Sequence, residues 1–269
     1  MTAKTGGPRR IVCLTEEPTE TLYLLGEQDR IVGISGFTVR PPQARKEKPK
    51  VSAFTSANID KIVELKPDLV IGFSNLQADI AADLIRHGLA VHIFNHRTVT
   101  GIFEMIAMIG AMVQAQTKAK ALIAALQERL QRVEDSAARL ERRPRVYFEE
   151  WDDPLISGIG WVSELTRLAG GDDCFPELAH ESSAKQRIIA DPMEVVRRSP
   201  DIVIGSWCGK KFQPERVRAR DGWDTIPAIR DGHVYEIKSP NILQPGPAAL
   251  TDGIDQLHEL VQRWAQTQP

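Results

Sequence analysis

Residues 58–72 read Asn58-Ile59-Asp60-Lys61-Ile62-Val63-Glu64-Leu65-Lys66-Pro67-Asp68-Leu69-Val70-Ile71-Gly72, and residues 191–205 read Asp191-Pro192-Met193-Glu194-Val195-Val196-Arg197-Arg198-Ser199-Pro200-Asp201-Ile202-Val203-Ile204-Gly205. Each stretch carries a polar helix cap, a short amphipathic helix, a Pro-Asp break and an apolar strand ending in glycine. The two are offset by 133 residues throughout. An echo of this length predicts two similar α/β lobes with a ligand cleft between them.

Working outward, the same alternation continues. Arg10 to Leu14 is an apolar strand, followed by the polar loop Thr15–Pro18. Thr19 is read as the cap of a helix that runs to Leu25 and stops at Gly26. Further strands are predicted at 31–34, 69–71 and 91–94, with a helix over 80–86. Strands alternating with helices imply a parallel sheet. From about Ile102 to Leu140 there is no strand signal and no proline. One helix is read to about Gln114 and a second over 117–140, with apolar Ala121, Leu122, Ala125, Leu126, Leu130 and Val133 at helical spacing. The second would be ~35 Å long, enough to join two lobes. The domain organisation is therefore an N-terminal lobe over 10–113, a linking helix over 114–143 and a C-terminal lobe over 144–269. Arg145 to Glu149 repeats the first strand, and a loop from Glu150 to Gly158 follows it. A strand at 234–237, a Pro/Gly loop and a closing helix from Ala248 to about Trp264 complete the second lobe.

Composition excludes several classes. The chain has 269 residues, 42% hydrophobic and 26% charged, with a net charge of −2. That is a globular composition with no basic field for nucleic acid. No apolar run reaches the roughly 18–20 residues of a membrane span. Residues 1–10 contain no apolar stretch of the kind that marks a secretory leader. Cys13, Cys174 and Cys208 are far apart, so neither a zinc knuckle nor a dithiol motif is supported, and buried thiols are expected. His92, His96 and His180 have no ligand spacing, so no metal site and no resident cofactor are expected. Phosphate loops, dinucleotide fingerprints and nucleophile elbows are absent, and no catalytic residue is assigned.

In an open parallel sheet, ligands bind beyond the carboxyl ends of the strands. The loops that leave the predicted strands hold Phe37, Phe73, Trp151, Trp161, Trp207 and Phe212, although aromatic content is only 6%. These six are the expected apolar lining of a binding site. Phe73 and Trp207 each follow an echoed strand and are expected to face one another across the cleft. Arg40 and Arg97 would meet an anionic ligand, and Asp152 and Asp153 a cationic one.

With those residues in view, the chain resembles the substrate-binding proteins of ABC importers for cobalamin and iron-siderophores. The resemblance spans about Arg10 to Trp264. It rests on Ile59–Gly72, on Leu243-Gln244-Pro245-Gly246-Pro247, and on Arg40-Pro41-Pro42-Gln43-Ala44, the last being most like the cobalamin-binding branch. It implies two Rossmann-like lobes joined by one rigid helix, a non-enzymatic monomer, and capture of cobalamin or a ferric siderophore. It also implies delivery to a membrane permease and a periplasmic or membrane-anchored extracytoplasmic location. Phe37 and Phe73 match aromatic positions that flank the corrin in cobalamin binders. Glu16 falls where those proteins often have a small residue or proline, and Leu155 falls near another aromatic position. Asp79 and Glu215 lie near the acids through which the family docks on its permease. An iron-siderophore or haem binder, and a cytoplasmic corrinoid-handling protein or enzyme, remain the alternative readings.

Overall fold

The structure is a computed structural model that describes residues 6–268. The chain forms two compact units. One holds the residues up to His96 together with Thr100–Leu126, and the other holds Arg97–Val99 together with everything from Gln127 onward.

In the first unit, β1 (Ile11–Cys13), β2 (Ile31–Ser35), β3 (Lys50–Ser52), β4 (Leu69–Phe73) and β5 (Val91–Phe94) form one sheet in the order β3-β2-β1-β4-β5. Every pairing is parallel. The helices are α1 (Glu16–Leu24), α2 (Ala44–Glu47), α3 (Ile59–Glu64), α4 (Ala78–Arg86) and α5 (Val99–Met112), the last beginning one residue before its unit resumes. Val12, Leu14, Ile62, Val70 and Leu84 form a core with no exposed surface. Helix α1 starts earlier than its sequence suggests, with Thr15 at the N-cap position, because Pro18 is tolerated in a first turn where its missing N–H has no partner to lose. Strand β3 has no sequence signature, since Lys50-Val51-Ser52 at a sheet edge holds a single apolar side chain.

Helix α6 (Gln116–Ala137) follows, its residues up to Leu126 grouping with the first unit and the rest with the second. Its buried positions are Ala119, Leu126, Leu130, Val133 and Ala137. Ala121 and Ala125, expected on the apolar face, are exposed instead. The buried stripe runs at steps of seven, four, three and four, and alanine is apolar enough to stand on either face of a helix.

The second unit is built on β6 (Arg145–Asp152), β7 (Leu155–Ser157), β8 (Asp172–Asp173), β9 (Ile202–Gly205) and β10 (Val234–Glu236). The order is β10-β9-β6-β7, with β8 on the same edge of β6 as β7. Its helices are α7 (Gly160–Leu168), α8 (Pro176–Ala179), α9 (Met193–Arg198), α10 (Pro214–Arg218), α11 (Pro227–Arg230), α12 (Ser239–Ile242) and α13 (Ile254–Ala265). The expected loop Glu150–Gly158 is a hairpin. Strand β6 runs on to Asp152 and β7 returns antiparallel, pairing Asp152 with Leu155 and Glu149 with Ser157. Asp153-Pro154 supplies the turn, as such dipeptides do. Trp161, expected in a loop, lies in the first turn of α7.

The echo extends to backbone detail. Asn58 Oδ1 caps α3 by accepting from Lys61 N at 2.9 Å. Lys66 and Ser199 both take positive φ, 46° and 49°, immediately before the two prolines. Asp68 accepts from Arg9 N and Arg10 N at 2.7 and 2.9 Å. Asp201 accepts from Arg145 N at 2.8 Å. The Pro-Asp pair therefore ends one helix and ties the next strand to the amino end of the central strand of its sheet. Glycines 72 and 205 close the echoed strands for a shared reason. A Cβ on Gly72 would lie 2.3 Å from Gln77 Oε1, and one on Gly205 would lie 1.9 Å from the Phe212 ring. In each lobe a side chain from the following loop rests against bare backbone.

Candidate binding surfaces

The carboxyl end of the first sheet is set by Gln77, which is fully buried. Its amide accepts from Phe73 N at 3.1 Å and donates to Phe54 O at 2.9 Å. This holds the loop after β4, and Asn75 N donates to Asn95 Oδ1 at 3.1 Å to join it to the loop after β5. Phe73 is only 6% exposed and meets His96 edge to face, with centroids 5.2 Å apart. Outside it stand Phe37, Val39 and Leu76, exposed by 56%, 43% and 61%. They follow β2 and β4, the two neighbours of β1. An apolar side chain of that size left in water at a strand end is available for a ligand or partner. Arg40 does not stand as a lone cation, because its Nε donates to Glu20 Oε1 at 2.8 Å.

Glu149, on β6, organises the second lobe. It is completely buried, and a lone buried carboxylate would be very costly. Arg220 answers it with two bonds of 2.6 and 2.9 Å. Tyr147 Oη donates at 3.0 Å and Trp207 Nε1 donates at 3.0 Å. Burial alone would pull the Arg220 guanidinium down, but the Glu149 carboxylate more than offsets this and its pKa is raised. Burial and the same carboxylate push the Tyr147 phenol well up, so it remains a donor. A second buried acid, Asp152, takes Lys210 Nζ at 2.7 and 2.8 Å and Arg216 at 3.0 Å. Lys210 also lies 5.1 Å from the Trp151 ring and 5.0 Å from the Trp207 ring. The loop after β9 is thus fastened to β6 by two carboxylates and three cations.

This changes the standing of the expected aromatic residues. Trp207 and Phe212 are 3% and 4% exposed, belong to the core of their own lobe, and meet edge to face at 4.9 Å. Trp161 is 3% exposed and donates to Ile242 O at 2.8 Å. Trp151 is half-buried and donates to Asp153 O at 2.9 Å. A glycine next to a strand end lets the loop fold its aromatic ring back onto the sheet, so a loop position does not entail exposure. Asp152, expected as a charge for a cationic ligand, is committed to Lys210 and Arg216. Arg97 is half-buried at a cavity of about 580 Å³ shared with Ser163, Glu164, Arg167, Asp173 and His180. Burial and the nearby charge of Arg187 lower its pKa. Arg187 itself is 2% exposed and binds Glu150 through two nitrogens at 2.6 and 3.0 Å.

Asp79 and Glu215 are exposed, each in the first turn of the helix that follows an echoed strand, α4 and α10. Among the described residues, no group of three or more His, Cys, Asp or Glu is placed to hold a metal. Cys13, Cys174 and Cys208 form no disulfide. Burial pushes Cys13 and Cys174 up to about 12 each, while Cys208 is exposed. Iodoacetamide at about pH 8 should therefore modify one thiol in the native protein, Cys208, and all three only after denaturation, as counted by intact mass. Rapid native labelling of a second thiol would contradict this burial.

The sequence did not single out Glu149, Arg220 or Gln77. A glutamate directly after the apolar run Val146-Tyr147-Phe148, at the end of a predicted strand, was a signal available for the first. Comparison with known proteins fits this geometry. Residues 11–240 match the periplasmic binding protein family. The chain belongs to that family. Its members are substrate-binding proteins rather than enzymes. An uncharacterized ABC transporter substrate-binding lipoprotein of Bacillus subtilis, YvrC, is 26% identical over 94% of this chain and 80% of its own length. A vitamin B12-binding protein of Vibrio campbellii is 24% identical over 91% of this chain and 86% of its own length. Among solved structures, the periplasmic vitamin B12 binding protein BtuF of Vibrio cholerae superposes with a TM-score of 0.76 at 22% identity, covering 97% and 99% of the two chains. The S. aureus haem complex of IsdE gives a TM-score of 0.78 at 21% identity, covering 95% and 99%. These likenesses share the two-lobed α/β fold of this periplasmic binding protein. No helix among its described residues is long and apolar enough to cross a membrane.

Proposed function

We propose that this periplasmic binding protein captures a bulky chelate, a corrinoid foremost, and delivers it to an ABC importer from an extracytoplasmic location. The observation that carries the reading is the exposed apolar set Phe37, Val39 and Leu76 at the carboxyl end of the first sheet. A large, partly apolar ring suits such a surface better than a small polar solute does. Relatives named for vitamin B12 support the corrinoid over other chelates. On this reading Phe37 is the principal aromatic contact, with Phe73 behind it. Asp79 and Glu215 are the permease-docking acids, because each is exposed in an equivalent place on its own lobe. A ferric siderophore or haem is the alternative ligand, and Arg97 is the residue that favours it.

Tryptophan fluorescence titration with cyanocobalamin, haem and a ferric hydroxamate tests the proposal. Cyanocobalamin should bind at micromolar or tighter concentration, and Phe37→Ala should weaken it about tenfold without lowering the melting temperature, since the ring is exposed in the free protein. No binding of any chelate would overturn the proposal. Preferred binding of haem or the hydroxamate would keep the class of function and replace the ligand.

A further inference from the structure

Phe37 and Val39 are 56% and 43% exposed, so they contribute little burial to hold the loop that carries them. Only Thr38, between them, turns fully inward. A loop with so little apolar anchorage must take its shape from polar ties. Its donors are bonded locally: Gly36 N to Ser52 O at 2.7 Å, Phe37 N to Ser35 Oγ at 3.1 Å and Thr38 N to Ser35 O at 3.2 Å. The carbonyls on either side of Phe37 share one cation. Arg45 Nη1 donates to Gly36 O at 2.8 Å and to Thr38 O at 3.0 Å. One guanidinium nitrogen thus bridges the two residues that flank the exposed ring, through charge-assisted bonds that are stronger than neutral ones.

Arg45 stands on a fixed base. It lies in α2, whose Ala44 is completely buried and donates its N–H to Pro41 O at 3.0 Å. At the other end of α2, Glu47 Oε2 accepts from Tyr23 Oη of α1 at 2.6 Å. Burial, helped by the Glu47 carboxylate, pushes the Tyr23 phenol up, so it stays a donor. Arg40 Nε, bonded to Glu20 Oε1 at 2.8 Å, ties the intervening stretch to α1 as well. A chain of contacts therefore runs from α1 through α2 and Arg45 to the loop at Phe37. A ring on an ordered loop meets its ligand without further ordering, whereas a loose loop loses conformational entropy on contact and that loss subtracts from affinity.

We infer that Arg45 is a positioning residue for ligand binding: it holds the loop over 36–38 so that Phe37 is presented before the ligand arrives. The inference rests on the chelate-binding reading and deepens it. It also gives the stretch over 40–44 a part in the site, as the support of the residue that fixes the ring.

The test combines hydrogen exchange of the free protein with titration of four forms: wild type, Arg45→Met, Phe37→Ala and the double variant. Methionine keeps an unbranched stem and removes the donors. In Arg45→Met the Phe37 and Thr38 amides should exchange about tenfold faster, with the Ile34 amide, bonded to Pro49 O at 2.9 Å, unchanged. The titrations use cyanocobalamin, haem and a ferric hydroxamate. Whichever binds the wild type most tightly should bind Arg45→Met about fivefold more weakly, the scale of ordering a loop side chain. In the Phe37→Ala background the same substitution should change affinity less than about twofold, because no ring is left to position. The melting temperature should change little, as for most exposed side chains. Equal weakening in both backgrounds would overturn the inference, since Arg45 would then act on the ligand directly or through the whole fold. Unchanged exchange, or a large fall in melting temperature, would overturn it too. If the wild type binds none of the three chelates, the chelate-binding reading falls together with the affinity role of Arg45, while the exchange result still decides whether Arg45 holds the loop.

Discussion

Glu149→Leu should lower the stability of this protein by about 3–5 kcal/mol, the usual loss when one partner of a buried ion pair is removed. The substitution replaces a carboxylate of no exposed surface by a side chain of similar volume, so cavity formation adds little. What is lost is the acceptor of Arg220, Tyr147 and Trp207. Arg220 then loses its bonded counter-ion in a site where its side chain is 18% exposed. The expected signature in urea is a lower midpoint at an unchanged slope. Replacing both partners, as Glu149→Leu/Arg220→Met, should recover much of the loss, because an apolar pair leaves no charge unsatisfied. A single-variant loss below about 1 kcal/mol would mean that water reaches Arg220 and that the pair is not buried in solution.

The parts of the fold that were legible in the sequence are those set by local chemistry. Asn58 caps a helix, Pro67 and Pro200 stop one, and each following apolar run is long enough to be a central strand. These signals lie within a few residues of one another. Strand β3 was hidden because an edge strand of three residues needs no apolar pattern, only a neighbour with free backbone groups. The β6–β7 hairpin was hidden because Glu150-Trp151-Asp152 reads as polar loop while Glu149 and Asp152 are held inside by cations from Lys210 to Arg220. That compensation lies about sixty residues along the chain and has no local trace. The candidate site divides in the same way. Phe37 is exposed as its loop position implied, whereas Phe212 and Trp207 turn back onto β9 because Gly205 leaves space for a ring.

Trp207→Ala should destabilise the protein by about 3–5 kcal/mol, as truncation of a core tryptophan does. Loop position alone points the other way, to a cleft aromatic whose removal costs affinity and spares the melting temperature. Burial decides between them. The ring is 3% exposed, packs at 4.9 Å against Phe212 and donates its indole N–H to Glu149 at 3.0 Å. Truncation therefore opens a cavity and removes one of the bonds that neutralise a buried carboxylate. Affinity for cyanocobalamin, measured at a temperature where the variant is fully folded, should change less than about threefold. A tenfold loss of affinity at unchanged stability would instead place the indole against the ligand. The two substitutions also test one another. Trp207→Ala and Glu149→Leu delete the same hydrogen bond, so their losses cannot simply add, and the double variant should fall short of the sum by about 1 kcal/mol or more. Strict additivity would mean that the indole contributes through packing alone and that Arg220 and Tyr147 suffice to hold the carboxylate.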